Sequence, residues 1–169
     1  TTLDDSTNAA RLIHAEGDDL SGIIADRHGD VVVVEISNRG AEQLRDLVVG
    51  VLQRELAPRA IHFRNDLPAR VIEQLPTGDE TIGDGAPSTT ILESGLRFRV
   101  DPRSGQKTGF FLDQRENRRL ARELARGRTV LNLFSYSGAF GVYAAAGGAA
   151  AVTNVDVSAP AIELARENH

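Results

Sequence analysis

The stretch from Val130 to Asp156, VLNLFSYSGAFGVYAAAGGAAAVTNVD, leaves this chain few folds to choose from. Val130 to Phe134 is a short apolar run bounded by polar residues, the pattern of a buried strand. Ser135, Ser137 and Gly138 follow as a turn, and Ala139 to Ala146 is a run of small residues suited to a helix. Gly147 and Gly148 break that helix, and a second strand, Ala151 to Val155, ends on Asp156. Such a strand–turn–helix–strand unit belongs to an open α/β sheet, where ligands bind outside the carboxyl ends of the strands.

The turn narrows the ligand. Gly138 lacks a Cβ, so the chain there can bend close to a bound molecule. Asp156, at the tip of the second strand, is placed to accept hydrogen bonds from two ribose hydroxyls. These features point to a cofactor containing adenosine. A dinucleotide fingerprint reads G-x-G-x-x-G, whereas Ser135 to Gly141 reads S-Y-S-G-A-F-G and lacks the first glycine. No G-K-S/T follows a glycine-rich loop, which argues against a nucleoside triphosphate. S-adenosylmethionine has no phosphate to cradle, and its sulfonium could face Phe134, Tyr136 or Phe140. Against this stands the plain fact that an apolar strand before a glycine turn occurs in any α/β protein.

The preceding segment is more specific. Gly105 to Arg118 reads GQKTGFFLDQRENR. Lys107, Thr108, Gly109, Phe110, Phe111, Leu112, Asp113, Gln114 and Arg115, followed by Asn132, Phe134, Ser135, Tyr136, Ser137 and Gly138, resemble the signature of one family. It is that of the large-subunit ribosomal RNA cytosine-5 methyltransferases of class I fold. VDVSAPAIELARENH, from Val155 to His169, is similar to the family's second strand and following helix. The resemblance runs from about Arg11 to His169 and is densest from Gly105 onward.

The fold the resemblance implies is α/β. A small N-terminal α+β domain (1–102) links to the first part of a Rossmann-like class I methyltransferase domain (103–169). It implies S-adenosyl-L-methionine as cofactor and ribosomal RNA as partner, and a homodimer is compatible with it. The implied cofactor residues are Phe110, Asp113, Arg115, Asn132, Phe134, Ser135, Tyr136, Ser137, Gly138, Asp156 and Val157, with Lys107 and Arg118 toward RNA. Each has a rival role. Lys107 suits RNA phosphate, the cofactor carboxylate or a plain exposed loop. Phe110 suits stacking on the adenine or on an RNA base, while Phe110 and Phe111 both suit anchoring the loop on the core, and one of each is expected. Asp113 would cap a helix starting near Gln114. The planar fork of Arg115 suits the methionyl carboxylate or RNA phosphate. Asn132 and Ser137 would bond the methionine end, and Tyr136 would pack.

Composition bounds this reading. The chain has 169 residues and a net charge of −5, which argues against nonspecific duplex binding as its main task. Arg115, Arg118, Arg119, Arg122, Arg126 and Arg128 offer a local basic stripe, although Arg119, Arg122 and Arg126 equally suit a solvated helix face with Glu116 and Glu123. With no cysteine and four scattered histidines, no metal site is expected. No apolar run approaches the roughly 20 residues of a membrane span. TTLDDSTNAA is unlike a signal peptide, so a cytoplasmic protein is expected.

The chain also contains no methionine, and after Asp156 it offers one more helix, Ala159 to His169. It reads as a fragment cut within the cofactor domain. Carbon-5 of cytosine is a weak nucleophile, and the usual route adds a thiolate to carbon-6 first. The resemblance places that cysteine, with an Asp-Pro-Pro type loop, beyond His169, so no catalytic residue is expected here and the chain alone is expected to be inactive. Two other readings stay open: a nicotinamide-dependent oxidoreductase on the same unit, and a noncatalytic RNA-binding module.

The first hundred residues read as strands at Arg11 to Glu16, Ser21 to Asp26 and Val31 to Ser37, with a turn at 27–30 between the last two. Leu44, Leu47, Val48, Val51 and Leu52 form the stripe of a helix over Ala41 to Leu56. Ala60 to Arg64 and Arg70 to Gln74 read as short strands, Pro76 to Thr90 as a loop, and Ile91 to Val100 as a hairpin around Ser94-Gly95. Glu16, Asp18, Asp19 and Asp26 fit no calcium loop and read as turn and surface residues. Asn65 and Asp66 read as turn formers.

Overall fold

The computed structural model describes residues 3–103 and 105–169. A five-stranded sheet in the order β1-β2-β3-β4-β5 forms the first part. β1 (Ala9–His14), β2 (Ile23–His28) and β3 (Val31–Ile36) are an antiparallel meander. A helical crossover, α1 (Arg39–Glu42) and α2 (Arg45–Leu56), returns the chain to β4 (Ala60–Phe63), parallel to β3. α3 (Pro68–Ile72) then leads to β5 (Glu80–Gly83), antiparallel to β4.

Strand side chains alternate between faces. Ile23, Ala25, Val32, Val34, Ile36, Ile61 and Phe63 pack with Val48 and Leu52 of α2 in one core. Asp26, His28, Val31, Val33, Ala60 and His62 are buried outside that cluster. Val31 to Val34 are therefore all buried, as a continuous β-branched run requires when both faces of a strand are covered.

Several expectations for this part are corrected. β1 and β2 each lie two residues from their expected positions, with Glu16 in a short helical turn (Ala15–Asp18) and His28 inside β2. The single helix is two, broken at Gln43 and Leu44, where the Leu44 N–H bonds Ala41 O at 3.0 Å, three residues back. Only Val48 and Leu52 of the expected stripe are buried, and Leu47 is 64% exposed. Residues 70–74 form no strand. Pro68 opens a helix there, and Arg70 is drawn inward. Its guanidinium donates to Ile36 O (2.8 Å), Glu42 Oε2 (2.8 Å) and Pro76 O (2.7 Å), leaving Val71 and Ile72 exposed. The expected loop 76–90 contains β5 and the start of the next strand.

β6 (Thr89–Glu93) and β7 (Leu96–Val100) form the expected hairpin. After residues 105–114 come α4 (Arg115–Leu124), β8 (Thr129–Leu133), α5 (Ala139–Ala146), β9 (Ala151–Val155) and α6 (Ala159–Asn168). β8 and β9 pair in parallel, Thr129 with Ala151 through Leu133 with Val155. α5 and β9 have the expected bounds, and Ser158 caps α6 by accepting the Ala161 N–H at 3.3 Å.

A second core joins Ala9, Ile91, Phe98 and Val100 to Phe110, Ala139 and Tyr143, so the hairpin packs on the later elements. Phe98 stacks on Tyr143, with centroids 6.0 Å apart. Beside this core lies Glu93, fully buried. Its carboxylate accepts from Arg118 Nε (2.7 Å) and Nη2 (2.8 Å), Arg115 Nε (3.1 Å) and the Tyr143 hydroxyl (3.1 Å).

Candidate functional site

Beyond Leu133 the chain makes a tight turn into α5. Phe134 (φ 55°) and Tyr136 (φ 46°) both take the left-handed conformation, which costs a non-glycine residue about 1–3 kcal/mol. Neighbouring bonds hold it. The Ser135 N–H donates to Val155 O (3.0 Å), the Tyr136 N–H to Asp156 Oδ2 (2.8 Å), and the Gly138 N–H to Ser135 O (2.9 Å). Gly138 itself has φ 73°, and a Cβ there would lie 2.9 Å from Ala165 Cβ. The second oxygen of Asp156 accepts the Ser158 N–H at 2.9 Å. The N–H groups of Ser158 and Tyr136 hold the Asp156 carboxyl below the usual carboxylate range. The Val157 N–H acts in the same direction, and three such donors against about four lone-pair sites leave the carboxylate some acceptor capacity for a ligand.

Residues 105–114 form the opposite wall. Gly109 (φ 114°) must lack a side chain, because a Cβ there would meet Val100 Cγ1 at 2.8 Å. The Tyr136 hydroxyl donates to Gly109 O (3.0 Å) and accepts the Gln106 N–H (3.1 Å), clamping this wall to the turn. Burial raises the Tyr136 pKa and keeps the phenol protonated for that donation. Phe111 meets Tyr136 edge-on at 5.6 Å. Lys107 Nζ stands 4.5 Å from the Phe111 ring centre and 2.9 Å from Asp113 Oδ1.

The two walls enclose a cavity of about 490 Å³, of small-molecule size. Of the residues expected to hold a cofactor, Phe110, Asp113, Phe134, Ser135, Tyr136, Ser137, Asp156 and Val157 line it. Phe134 is 88% exposed and Val157 wholly so, leaving apolar surface bare beside the carboxylate. Ser135 Oγ is buried and has no hydrogen-bond partner among the described residues.

Other expected residues lie elsewhere or act differently. Asn132 donates to Asn154 Oδ1 (2.8 Å) across the β8–β9 pair. Arg115 is bound to Glu93 and to Ala9 O (2.5 Å). Gly138 does not line the cavity; it forms the left-handed N-terminal cap of α5. Asp113 caps no helix: α4 starts at Arg115 without a side-chain cap, and the carboxylate pairs with Lys107. Arg118, expected at RNA, is 1% exposed with its guanidinium clamped on Glu93, although it also touches the cavity wall. Lys107, also expected at RNA, stands on the cavity wall. Phe110 is buried in the second core, while Phe111 rests on Tyr136. Asp26, read as a surface acid, is 1% exposed. Asn65 is buried too, its side-chain amide donating to Gly78 O at 2.8 Å. Arg119 pairs with Glu116 on the exposed face of α4.

Sequence reasoning left out Gln106 and Gln114 as lining residues, and weighed Phe111 only as one of two rings, either of which could stack or anchor the loop. They sit inside the GQKTGFFLDQR run, and which side chains of an irregular segment turn inward carries no periodic signal. Among the described residues, no group of three or more His, Asp or Glu could hold a metal ion. No described helix is long and apolar enough to cross a membrane.

A family model described as S-adenosylmethionine-dependent methyltransferase matches residues 11–169. The chain is 45% identical over 160 residues to ribosomal RNA large subunit methyltransferase I of Shewanella denitrificans, a match covering 94% of this chain and 40% of that protein. Among solved structures, a proposed SAM-dependent methyltransferase from Streptococcus mutans superposes with a TM-score of 0.81 at 33% identity, over 98% of this chain and 43% of that one. A proposed methyltransferase solved in complex with SAH superposes with a TM-score of 0.82 at 34% identity, over 98% and 42%. The chain thus spans about 40% of the length of the curated relatives it matches.

Proposed function

Because the chain belongs to the family of S-adenosylmethionine-dependent methyltransferases, we propose that the cavity between the β8–α5 turn and residues 105–114 binds S-adenosylmethionine. One observation carries this reading: the buried Ser135 hydroxyl, without a partner among the described residues, lines the same cavity as the fixed Asp156 carboxylate. Buried polar groups are seldom left unbonded, so a ligand with polar groups at that point completes the site.

The residues present fit the cofactor. Asp156 would accept hydrogen bonds from the ribose hydroxyls, with Phe134 and Val157 covering the adenine beside it. Ser135 and Ser137 would bond the methionine end, and Lys107 would draw its carboxylate. Tyr136 and Phe140 offer π faces to the sulfonium. Bound in this way, S-adenosylmethionine supplies an electrophilic methyl group.

The substrate we assign to the whole protein is carbon-5 of a cytosine in large-subunit ribosomal RNA. Similarity to a large-subunit ribosomal RNA methyltransferase supports the RNA, and the KTGFFLDQR and LNLFSYSG stretches support the carbon. A thiolate is the usual activator of carbon-5, and the 169 residues contain no cysteine. The chain's own part is therefore to bind and orient the cofactor. The proposed division places residues 1–102 in an N-terminal unit and 103–169 in the cofactor unit.

Calorimetric titration with S-adenosylhomocysteine, with NAD as control, tests the reading. Saturable binding of the homocysteine compound alone is expected. Binding of NAD in its place would move the chain to the oxidoreductases. Asp156→Ala is expected to weaken S-adenosylhomocysteine by about 10- to 100-fold, from the ~1.5–3 kcal/mol typical of hydrogen bonds to a charged group. Unchanged affinity would remove Asp156 from the site.

A further inference from the structure

We infer that Asp26 and Thr108 are positioning residues for this cavity, acting through a buried contact between the N-terminal sheet and residues 105–114. The inference rests on the cavity being the S-adenosylmethionine site.

Asp26 lies on β2 directly opposite Arg11 of β1. Its carboxylate accepts from Arg11 Nε (2.7 Å) and Nη2 (2.9 Å), and from Thr108 Oγ1 at 2.6 Å. A buried carboxylate is tolerable only when paired and fully hydrogen-bonded. Arg11 supplies the charge, and Thr108 completes the shell. His28, two residues along the same strand, brings Nε2 to 3.3 Å from the same hydroxyl. Thr108 is 1% exposed, so water does not substitute for either contact.

The neighbours of Thr108 explain why the contact matters. Lys107 (φ 51°) and Gly109 (φ 114°) flank it in conformations with positive φ. Residues 105–111 have no helix or strand to dictate their course. Side chains from outside hold them instead. Asp26 binds Thr108, Arg64 Nη1 donates to Gly105 O at 3.0 Å, and Tyr136 binds Gly109 and Gln106. Two of these three anchors, Asp26 and Arg64, come from β2 and the end of β4. The segment they hold carries Gln106, Lys107, Phe110, Phe111 and Asp113 into the cavity wall. The N-terminal sheet thus sets half of a site whose other half belongs to β8 and β9.

The test is calorimetric titration of the 169-residue chain with S-adenosylhomocysteine, on wild type, Thr108→Val, Thr108→Ser and Val34→Ala. Thr108→Val keeps the shape and loses the hydroxyl, and is expected to bind roughly tenfold more weakly. Thr108→Ser restores the hydroxyl and is expected within about twofold of wild type. Val34→Ala hollows the other face of the sheet and is expected to lower the Tm while leaving affinity unchanged. Amide exchange at Gln106 and Gly109 is expected to quicken in Thr108→Val. Wild-type affinity in Thr108→Val, or an equal loss in Val34→Ala, would overturn the inference and leave the cofactor reading standing. A folded wild type that binds no S-adenosylhomocysteine would remove the reading itself. Unchanged exchange in Thr108→Val would then overturn the anchoring as well.

Discussion

Glu93→Ala is expected to lower the unfolding free energy by about 3–5 kcal/mol, the usual cost of breaking a buried ion pair from one side. Glu93 is fully buried at the end of β6 and receives both Arg118 and Arg115. Arg118 is itself 1% exposed, its guanidinium 4.7 Å from the Phe110 ring centre. Truncation would strand that cation without a counter-ion or water. It would also remove one of two acceptors of the Tyr143 hydroxyl, leaving the residue 93 backbone carbonyl at 3.2 Å; burial and the adjoining carboxylate push the Tyr143 pKa up to about 12. A small domain has about 5–15 kcal/mol in total, so the variant should sit near the edge of folding. Urea unfolding checks this. The midpoint should fall steeply with little change in slope, and Tyr143→Phe should cost only about 1 kcal/mol. A loss below about 1 kcal/mol in Glu93→Ala would mean that the arginines find other partners.

Acid should destabilise the fold earlier than its carboxylates alone would. Burial lowers the His28 pKa from 6.5 to about 4, since the ring lies inside the sheet with Nδ1 unpartnered among the described residues. The folded state therefore holds His28 neutral, while the unfolded chain takes up a proton near pH 6.5. Stability from this group is complete above pH 6.5, falls as the pH drops, and levels off below about pH 4. At 1.36 kcal/mol per pH unit the loss approaches about 3 kcal/mol. Burial also lowers the His62 pKa, which adds to the slope in the same direction. Carboxylates held low, such as Asp30 beside Arg59 and Asp66 beside Arg64, lose their contribution only at more acid pH. Urea midpoints at intervals from pH 7 to pH 4 should show the decline, and His28→Gln should remove the larger part of it. An unaltered slope in that variant would assign the decline to other groups.

The order of the last elements could be read from residues alone. An apolar run, a serine–glycine turn and an alanine-rich stretch between glycines define β8, α5 and β9, and the bounds of α5 and β9 agree with that reading. Patterns of this kind are local: period two, period 3.6, and residues that break either. The same locality put Asp156 just past a strand end, the place where ligands gather in α/β sheets. Elements whose existence depends on a distant partner were not legible. β5 has no apolar alternation and forms because β4 offers an open edge. Residues 70–74 look strand-like until Arg70 finds Ile36, Glu42 and Pro76.

Charged side chains divide in the same way. Asp26 reads as a surface acid and Arg118 as an RNA contact, and nothing local marks Glu93 or Arg70 for the interior, yet all four are buried. Each is stable inside only because a partner many residues away neutralises or bonds it, and that pairing has no trace in local pattern. By itself, then, the sequence determined the chain's family, the strand–turn–helix–strand unit and the acid at its tip. Only the tertiary structure decided which of the neighbouring residues face the cavity, and which are consumed in holding it open. Short-range periodicity is written along the chain, whereas burial and charge pairing arise when segments far apart in sequence meet.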